Sequence, residues 1–136
     1  MNDRCAAGTG RFLEIVAQRL EGDLHSVAHA AERCARPIAI SSMCVVFEET
    51  EIIGLLASGT PMQDIMAGVE KSIANRIIGM IGRQARPPFY FTGGVSLVPG
   101  MARILSNLLG HEIAVSRDAQ FRDALGAAIM ASRQAA

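Results

Sequence analysis

The sequence predicts an α/β fold in which a short sheet is covered by helices. Apolar residues recur at helical spacing through most of the chain, as at Ile65, Val69 and Ile73. Between these segments lie short runs of β-branched or aromatic residues, such as Phe89-Tyr90-Phe91. Because helices and short strands alternate along the chain, the sequence favours a sheet with helices packed on it.

The first part of the chain predicts three helices and one short strand. Helices are expected at residues 9–22 and 23–36, the second capped by Asp23. Residues 38–40 are apolar and branched and predict a strand. A third helix is expected over residues 45–59, and the acidic residues Glu48, Glu49 and Glu51 in its first turn are explained by the helix dipole.

The remaining elements follow in alternation. A long helix over residues 60–83 opens with a capping box and ends before a Pro-Pro pair. Strands are predicted at 89–91 and 112–115, and helices at 101–109 and 119–132. No repeat or linker interrupts this order, so residues 1–136 are expected to form a single domain.

Composition excludes several classes of function. Lys plus Arg equals Asp plus Glu at 13 each, so no net field attracts nucleic acid or an anionic membrane. The apolar runs are shorter than the ~20 residues that span a bilayer, and we expect a cytoplasmic protein without nucleic-acid or membrane partners. Three cysteines favour free thiols or metal ligands over a disulfide framework.

Two of these cysteines stand in similar places. Cys5 and Cys44 each come just before a predicted helix, where the N-terminus stabilises a thiolate or an anionic cluster. Composition alone favours the alternative that both are buried structural cysteines. Cys34 lies within a predicted helix end and is interpreted as a packing residue, and His25 and His29 as ordinary helix histidines.

Two glycine-containing turns are candidate nucleotide contacts. Gly8-Thr9-Gly10 opens a helix and presents free backbone N–H groups that suit phosphate, although such a segment is also an ordinary turn. Thr92-Gly93-Gly94-Val95 follows a predicted strand, and open α/β sheets bind ligands beyond the carboxyl ends of their strands.

Five segments together carry a resemblance to a known family. CAAGTGRFLE, SSMCVVFEETE, SIANR, FTGGV and ALGAA occur in this order and at these separations. The chain thereby resembles the ATPases that activate 2-hydroxyacyl-CoA dehydratases and the ATP-binding subunits of benzoyl-CoA reductase. The resemblance implies the second domain of an actin, Hsp70 and sugar-kinase (ribonuclease H-like) fold.

The resemblance implies two cofactors. Cys5 and Cys44 would ligate a 4Fe-4S cluster, and because a cluster needs four thiolates, two subunits would share it in a homodimer or a dimer of related subunits. ATP or ADP with Mg would lie against the two glycine turns and a residue at the start of the last predicted helix, namely Gly8, Thr9, Gly10, Gly93, Gly94, Val95 and Gln120. A ferredoxin-like donor would supply electrons, which an ATPase cycle would pass to a dehydratase or reductase acceptor.

Two departures from the family pattern qualify these expectations. The superfamily's acidic phosphate loops would precede Cys5 and are not among the 136 residues, so we expect weak nucleotide binding by this chain alone. Arg122-Asp123 stands where a glycine is expected. The alternatives are a metal-free nucleotide-binding domain of a sugar-kinase-like or actin-like protein, and a non-catalytic fragment that dimerises through apolar surface.

Overall fold

Six α-helices and two strands make up the described part of the chain in a computed structural model, which describes residues 10–40, 45–81 and 86–134. In chain order the elements are α1 (Gly10–Arg19), α2 (Leu24–Ala31), α3 (Val45–Ala57), α4 (Met62–Ile81), β1 (Phe89–Phe91), a 3-10 helix (Gly94–Leu97), α5 (Met101–Leu109), β2 (Ile113–Val115), a second 3-10 helix (Ala119–Phe121) and α6 (Arg122–Gln134). The predicted alternation is confirmed from β1 onwards, whereas four helices precede β1 with no strand between them in the described residues.

The hydrophobic core lies among the helices. Helix α4 packs against α2 and α5 and also contacts α1 and α3. Its apolar side chains meet those of α1 and α5, and the largest fully buried apolar residues are Phe12, Leu13, Leu20, Ile52, Ile65, Met66, Met101 and Leu105. Burial of these side chains is the main term that stabilises the fold.

The sheet is small and parallel. Phe89 of β1 pairs with Ile113 of β2, and Phe91 pairs with Val115. Two parallel strands have their carboxyl ends at the same edge, so the residues that follow β1 and β2 come together. Helix α5 provides the crossover between them and ends at Gly110, which has φ of +70°.

One predicted strand is wrong. Residues 38–40 are not in a strand, although Ile40 does pack against the core. The Ile38 N–H instead donates to the Asp64 carbonyl at 3.3 Å, and a Cβ added to Gly68 would collide with the Ile38 carbonyl oxygen. The segment therefore lies against α4, and the absence of a side chain at position 68 is what permits the close approach.

The predicted cap of α2 is confirmed. Asp23 Oδ1 accepts a hydrogen bond from the Ser26 N–H at 3.0 Å. Hydrogen bonding by Ser26 lowers the pKa of the Asp23 carboxyl. In the same way, the long helix begins where the sequence indicates, since the Pro61 carbonyl accepts from the N–H groups of Asp64 and Ile65. Its predicted end at residue 83 lies outside the described residues.

Candidate functional site

The turn after β1 holds three of the sequence-predicted site residues, Gly93, Gly94 and Val95. Gly93 has φ of +84°, and its N–H donates to the Ala119 carbonyl at 2.9 Å. The Gly93 carbonyl accepts from Ser96 Oγ at 2.7 Å. A Cβ added at Gly93 or Gly94 would meet no described atom within 4 Å. The turn is thus a fixed piece of backbone with open space beside it, which is the geometry that lets a ligand approach the main chain.

The beginning of α1 lies against this turn. A Cβ added at Gly10 would be 3.6 Å from Val95 Cγ2, an ordinary van der Waals contact. Val95 is partly buried and packs against the core that includes α1. Gly10 and Val95 are therefore neighbours, so the start of α1 lies beside the 3-10 helix that follows β1.

The residues before α6 complete the other side of the turn. Ala119 is fully buried, and Gln120 beside it is exposed. Arg122 and Asp123 stand where a glycine was expected from the family pattern. Asp123 accepts a hydrogen bond from Thr92 Oγ1 at 3.1 Å. Arg122 Nε donates a hydrogen bond to Ser116 Oγ at 2.9 Å. The Arg122-Asp123 pair therefore ties α6 to the ends of both strands.

Helix α1 is also joined to α3. Arg19 Nη2 lies 2.6 Å from Glu49 Oε1, and Arg19 Nε donates to the same oxygen at 2.7 Å. This two-point contact links the last turn of α1 to the first part of α3. Since Cys44 directly precedes Val45, the first residue of α3, the ion pair connects the helix beside the glycine turn with the helix next to a predicted cluster ligand.

Four predicted site residues, Cys5, Gly8, Thr9 and Cys44, lie outside the described residues. Cys34 is described: it is half-buried, contacts the core and donates from Sγ to Asp64 Oδ1 at 3.1 Å. Burial, with the Asp64 contact next in size, raises the pKa of the Cys34 thiol. Among residues 10–40, 45–81 and 86–134, no three His, Cys, Asp or Glu side chains form a group that could hold a metal ion.

Two acids are buried, which the sequence reasoning did not predict, since it explained Glu48 by the helix dipole and did not single out Glu70. Glu48 is 3% exposed and accepts from Ser72 Oγ at 3.3 Å, and burial raises its pKa. Glu70 is 1% exposed, and burial raises its pKa to about 8. In the sequence, Glu70 stands between Val69 and Ile73 and four residues after Met66. This spacing puts a charged residue on the buried face of α4, and it could have predicted the burial of Glu70.

A glycine turn at the carboxyl edge of a parallel sheet, with helices packed over it, is the place where open α/β domains bind ligands. Residues 1–131 match the model of the BadF/BadG/BcrA/BcrD ATPase family. The chain belongs to this family.

Comparison with individual proteins agrees with this assignment. The chain is 44% identical over 137 aligned residues to the (R)-2-hydroxyglutaryl-CoA dehydratase activating ATPase of Acidaminococcus fermentans. This alignment covers 100% of the chain and 53% of that protein. It is 40% identical to the activator of lactoyl-CoA dehydratase of Anaerotignum propionicum, over 96% of the chain and 51% of the relative. The chain therefore spans about half the length of the curated relatives it matches.

Solved structures show the same fold. Component A of the Acidaminococcus fermentans (R)-2-hydroxyglutaryl-CoA dehydratase superimposes with a TM-score of 0.86 at 43% identity, over 95% of this chain and 50% of that one. The activator of the 2-hydroxyisocaproyl-CoA dehydratase from Clostridium difficile, with bound ADPNP, gives 0.88 at 36% identity, over 98% and 50%. Within the described part of this chain, no helix has the length and apolar character needed to cross a membrane.

Proposed function

We propose that this chain is the nucleotide- and cluster-binding domain of an ATP-driven activator, which passes low-potential electrons to a 2-hydroxyacyl-CoA dehydratase or to benzoyl-CoA reductase. In this proposal residues 1–136 correspond to the C-terminal half of the ATPase. A ferredoxin-like protein supplies the electron. Membership in the ATPase family and the names of the relatives support this assignment.

The single observation that carries the nucleotide part is the open space at Gly93 and Gly94. Both glycines leave room beside the backbone, and the start of α1 at Gly10 adjoins Val95 of the same turn. An anionic phosphate group placed there would meet backbone N–H groups at helix N-termini. Gln120, which is exposed next to the turn, would contact the nucleoside, and Gly8 and Thr9 would extend the phosphate side.

The cluster part rests on the chemistry and position of two cysteines. Thiolates are the ligands that iron-sulfur clusters prefer, and Cys44 adjoins the N-terminus of α3 in sequence. Cys5 and Cys44 supply two thiolates, so a 4Fe-4S cluster would need a second subunit to complete its set. When bound, such a cluster supplies one-electron transfer.

The chain's own part in coupling would be mechanical. A nucleotide bound against the Gly93 turn would displace α1, because Gly10 at the start of α1 adjoins Val95. The Arg19–Glu49 pair would then carry that displacement to α3, and so to Cys44. A nucleotide-dependent change in how two helices meet is a known form of switch, with the γ-phosphate as the differential contact.

Anaerobic reconstitution with iron and sulfide tests the proposal. The protein should bind about one 4Fe-4S cluster per two chains and elute as a dimer, and Cys5→Ala and Cys44→Ala should each abolish both properties. Cys34→Ala is the matched control and should keep the cluster, because Cys34 bonds Asp64 inside the fold.

The measurements are iron content, the visible absorption of the cluster and the mass in solution. An iron-loaded monomer, or a Cys5→Ala variant that keeps its cluster, would contradict the proposal. Cluster-free protein that still binds ADP would support instead a metal-free nucleotide-binding domain of the sugar-kinase-like or actin-like kind.

A further inference from the structure

Helix α4 contacts the chain on both sides of Cys44. Before Cys44, residues 38–40 lie against α4 at Gly68, and after it, Glu48 in the first turn of α3 contacts α4 at Ser72. Gly68 and Ser72 are four positions apart on one helix, so they lie on the same face and about 6 Å apart along its axis. In sequence, Cys44 stands midway between the end of the earlier segment and Glu48. The stretch of chain that carries Cys44 therefore begins and ends on one face of α4.

The contact at Gly68 is a close approach of two backbones. A Cβ added at Gly68 would collide with the Ile38 carbonyl oxygen and would lie 2.9 Å from Ile38 Cγ2 and 3.2 Å from Ile40 Cγ1. By contrast, a Cβ added at Gly79 of the same helix would meet no described atom within 4 Å. Glycine weakens a helix interior relative to alanine, so its presence at position 68 needs a separate reason. The packing of Ile38 and Ile40 against Gly68 provides that reason.

The contact at Ser72 is made by a buried carboxyl group. Glu48 is 3% exposed, and its Oε1 accepts a hydrogen bond from Ser72 Oγ at 3.3 Å. The next residue, Glu49, accepts a hydrogen bond from Arg19 of α1 at 2.7 Å. Neighbouring residues of a helix point about 100° apart, so the beginning of α3 is held to α4 and to α1 from two directions.

We propose that Gly68, Ser72 and Glu48 are positioning residues for Cys44, because they hold the chain on α4 at both sides of it and so fix where its thiolate is presented. The ligand role of Cys44 belongs to the proposed function, on which this inference rests. The anchoring itself is a property of the fold and can be measured without iron. Residues around a metal ligand orient it, and hydrogen bonding and solvent access at the sulfurs set the properties of an iron-sulfur cluster. Loss of either anchor should therefore alter the cluster without removing a ligand.

Hydrogen exchange of the iron-free chain tests the anchor at Ser72. In α3 the amides of residues 49–51 donate to the carbonyls of the first turn, so their protection reports whether that turn is held. Ser72→Ala removes the donor to Glu48, and these amides should exchange about fivefold faster, which corresponds to one lost hydrogen bond. The amides of α5 should exchange as in the wild type, because the change is local. Ser58→Ala is the matched control and should leave residues 49–51 unchanged, since Ser58 Oγ bonds the Leu55 carbonyl at the other end of α3.

The anchor at Gly68 has its own variant and control. Gly68→Ala should displace residues 38–40, and the Ile38 amide, which donates to the Asp64 carbonyl at 3.3 Å, should exchange about fivefold faster. Gly79→Ala should leave that amide unchanged, because there is open space at Gly79. Far-ultraviolet circular dichroism establishes that each variant is folded. Ser72→Ala, which removes one hydroxyl group, decides the matter alone if Gly68→Ala does not fold.

Anaerobically reconstituted protein tests the consequence for the cluster. Ser72→Ala and Glu48→Ala should still bind iron, because both thiolates remain. Their clusters should be lost in air about tenfold faster than in the wild type and should give a changed electron paramagnetic resonance spectrum when reduced. Glu48→Gln retains an acceptor for Ser72 Oγ and should restore the lifetime in air. A contact needed only for stability would leave the spectrum of a folded variant as in the wild type.

The possible outcomes separate this inference from the proposed function. Unchanged protection of residues 49–51 in folded Ser72→Ala would overturn the anchoring, whatever the iron content. A cluster with the same spectrum and lifetime in Ser72→Ala as in the wild type would overturn the positioning role and leave the proposed function standing. A wild-type protein that binds no cluster would contradict the proposed function, and the exchange rates would still decide whether Gly68 and Ser72 anchor the chain.

Discussion

Arg19 at the end of α1 contacts Glu49 of α3 through two nitrogens, Nε at 2.7 Å and Nη2 at 2.6 Å from the same Oε1 atom. The residues are 30 positions apart, and the contact joins two helices that carry different parts of the proposed site. Both side chains are partly exposed, at 56% and 33%, so water screens the pair.

The Arg19–Glu49 pair should matter more for coupling than for stability. Arg19→Gln should lower the free energy of unfolding by less than about 1 kcal/mol, as for other exposed ion pairs. If a bound nucleotide alters the rate at which the cluster is reduced, Arg19→Gln should diminish that effect, because the variant lacks the ion pair between α1 and α3. Arg11→Gln, which breaks the local Arg11–Glu14 pair, is the control and should leave the nucleotide effect intact.

The measurements are urea denaturation and the rate of cluster reduction with and without ADP. An Arg19→Gln variant whose reduction rate responds to ADP as the wild type does would contradict a coupling role for the pair. A loss of stability of several kcal/mol would instead mean that the pair is a structural contact, since screened pairs do not reach that magnitude.

The two glycines of the turn should respond differently to substitution. Gly93→Ala should destabilise the fold by about 1–2 kcal/mol, because an L residue is strained at φ of +84°. Gly94 has no positive φ and no described neighbour within 4 Å, so Gly94→Ala should retain stability but fill the space proposed for the nucleotide. ADP binding by Gly94→Ala should therefore be weaker than by the wild type.

A control glycine lies on the exposed side of α4. Gly79 also has open space around it, and Gly79→Ala should stabilise the helix by about 0.5–1 kcal/mol without altering ADP binding. Thermal unfolding and ADP titration of the three variants check these expectations. Equal ADP affinity for Gly94→Ala and the wild type would remove the argument for nucleotide at this turn.

Local sequence signals predicted the helices well. Asp23 at the start of α2 and Gly110 at the end of α5 both act through contacts within one turn of the helix, so their effect is visible in the sequence. The spacing of Ile65, Val69 and Ile73 likewise identified the buried face of α4.

The failures come from contacts distant in sequence. Whether residues 38–40 form a strand depends on the partner available, and here the partner is α4 at Asp64 and Gly68. The partner of Asp123, which is Thr92, comes from another element in the same way. The glycine turn was predicted because position after a strand is a local property, and its proximity to the start of α1 was expected from the family resemblance rather than from spacing.

The Cys34–Asp64 hydrogen bond should be structural. Cys34→Ser retains a donor and should be tolerated, whereas Cys34→Ala leaves Asp64 without this partner and should lower stability by about 1 kcal/mol. Because burial raises the pKa of the thiol, Cys34 should react slowly with iodoacetamide at pH 7.5. Rapid alkylation in the folded protein, measured by mass spectrometry, would contradict the structural role.

Glu70 should make the fold less stable as the pH rises. Its pKa is about 8 in the folded chain against an ordinary 4.5, so the folded state binds the proton more tightly than the unfolded state does. The stability linked to that proton is fully present below pH 4.5 and is lost as the pH rises towards 8, with a limiting slope of about 1.4 kcal/mol per pH unit.

Urea denaturation at pH 5.5 and 8.5 should therefore show a large decrease in the free energy of unfolding. Glu70→Gln, which cannot ionise, should remove most of that decrease, and the exposed control Glu112→Gln should not. A wild-type protein as stable at pH 8.5 as at 5.5 would mean that Glu70 ionises freely and is not buried in solution.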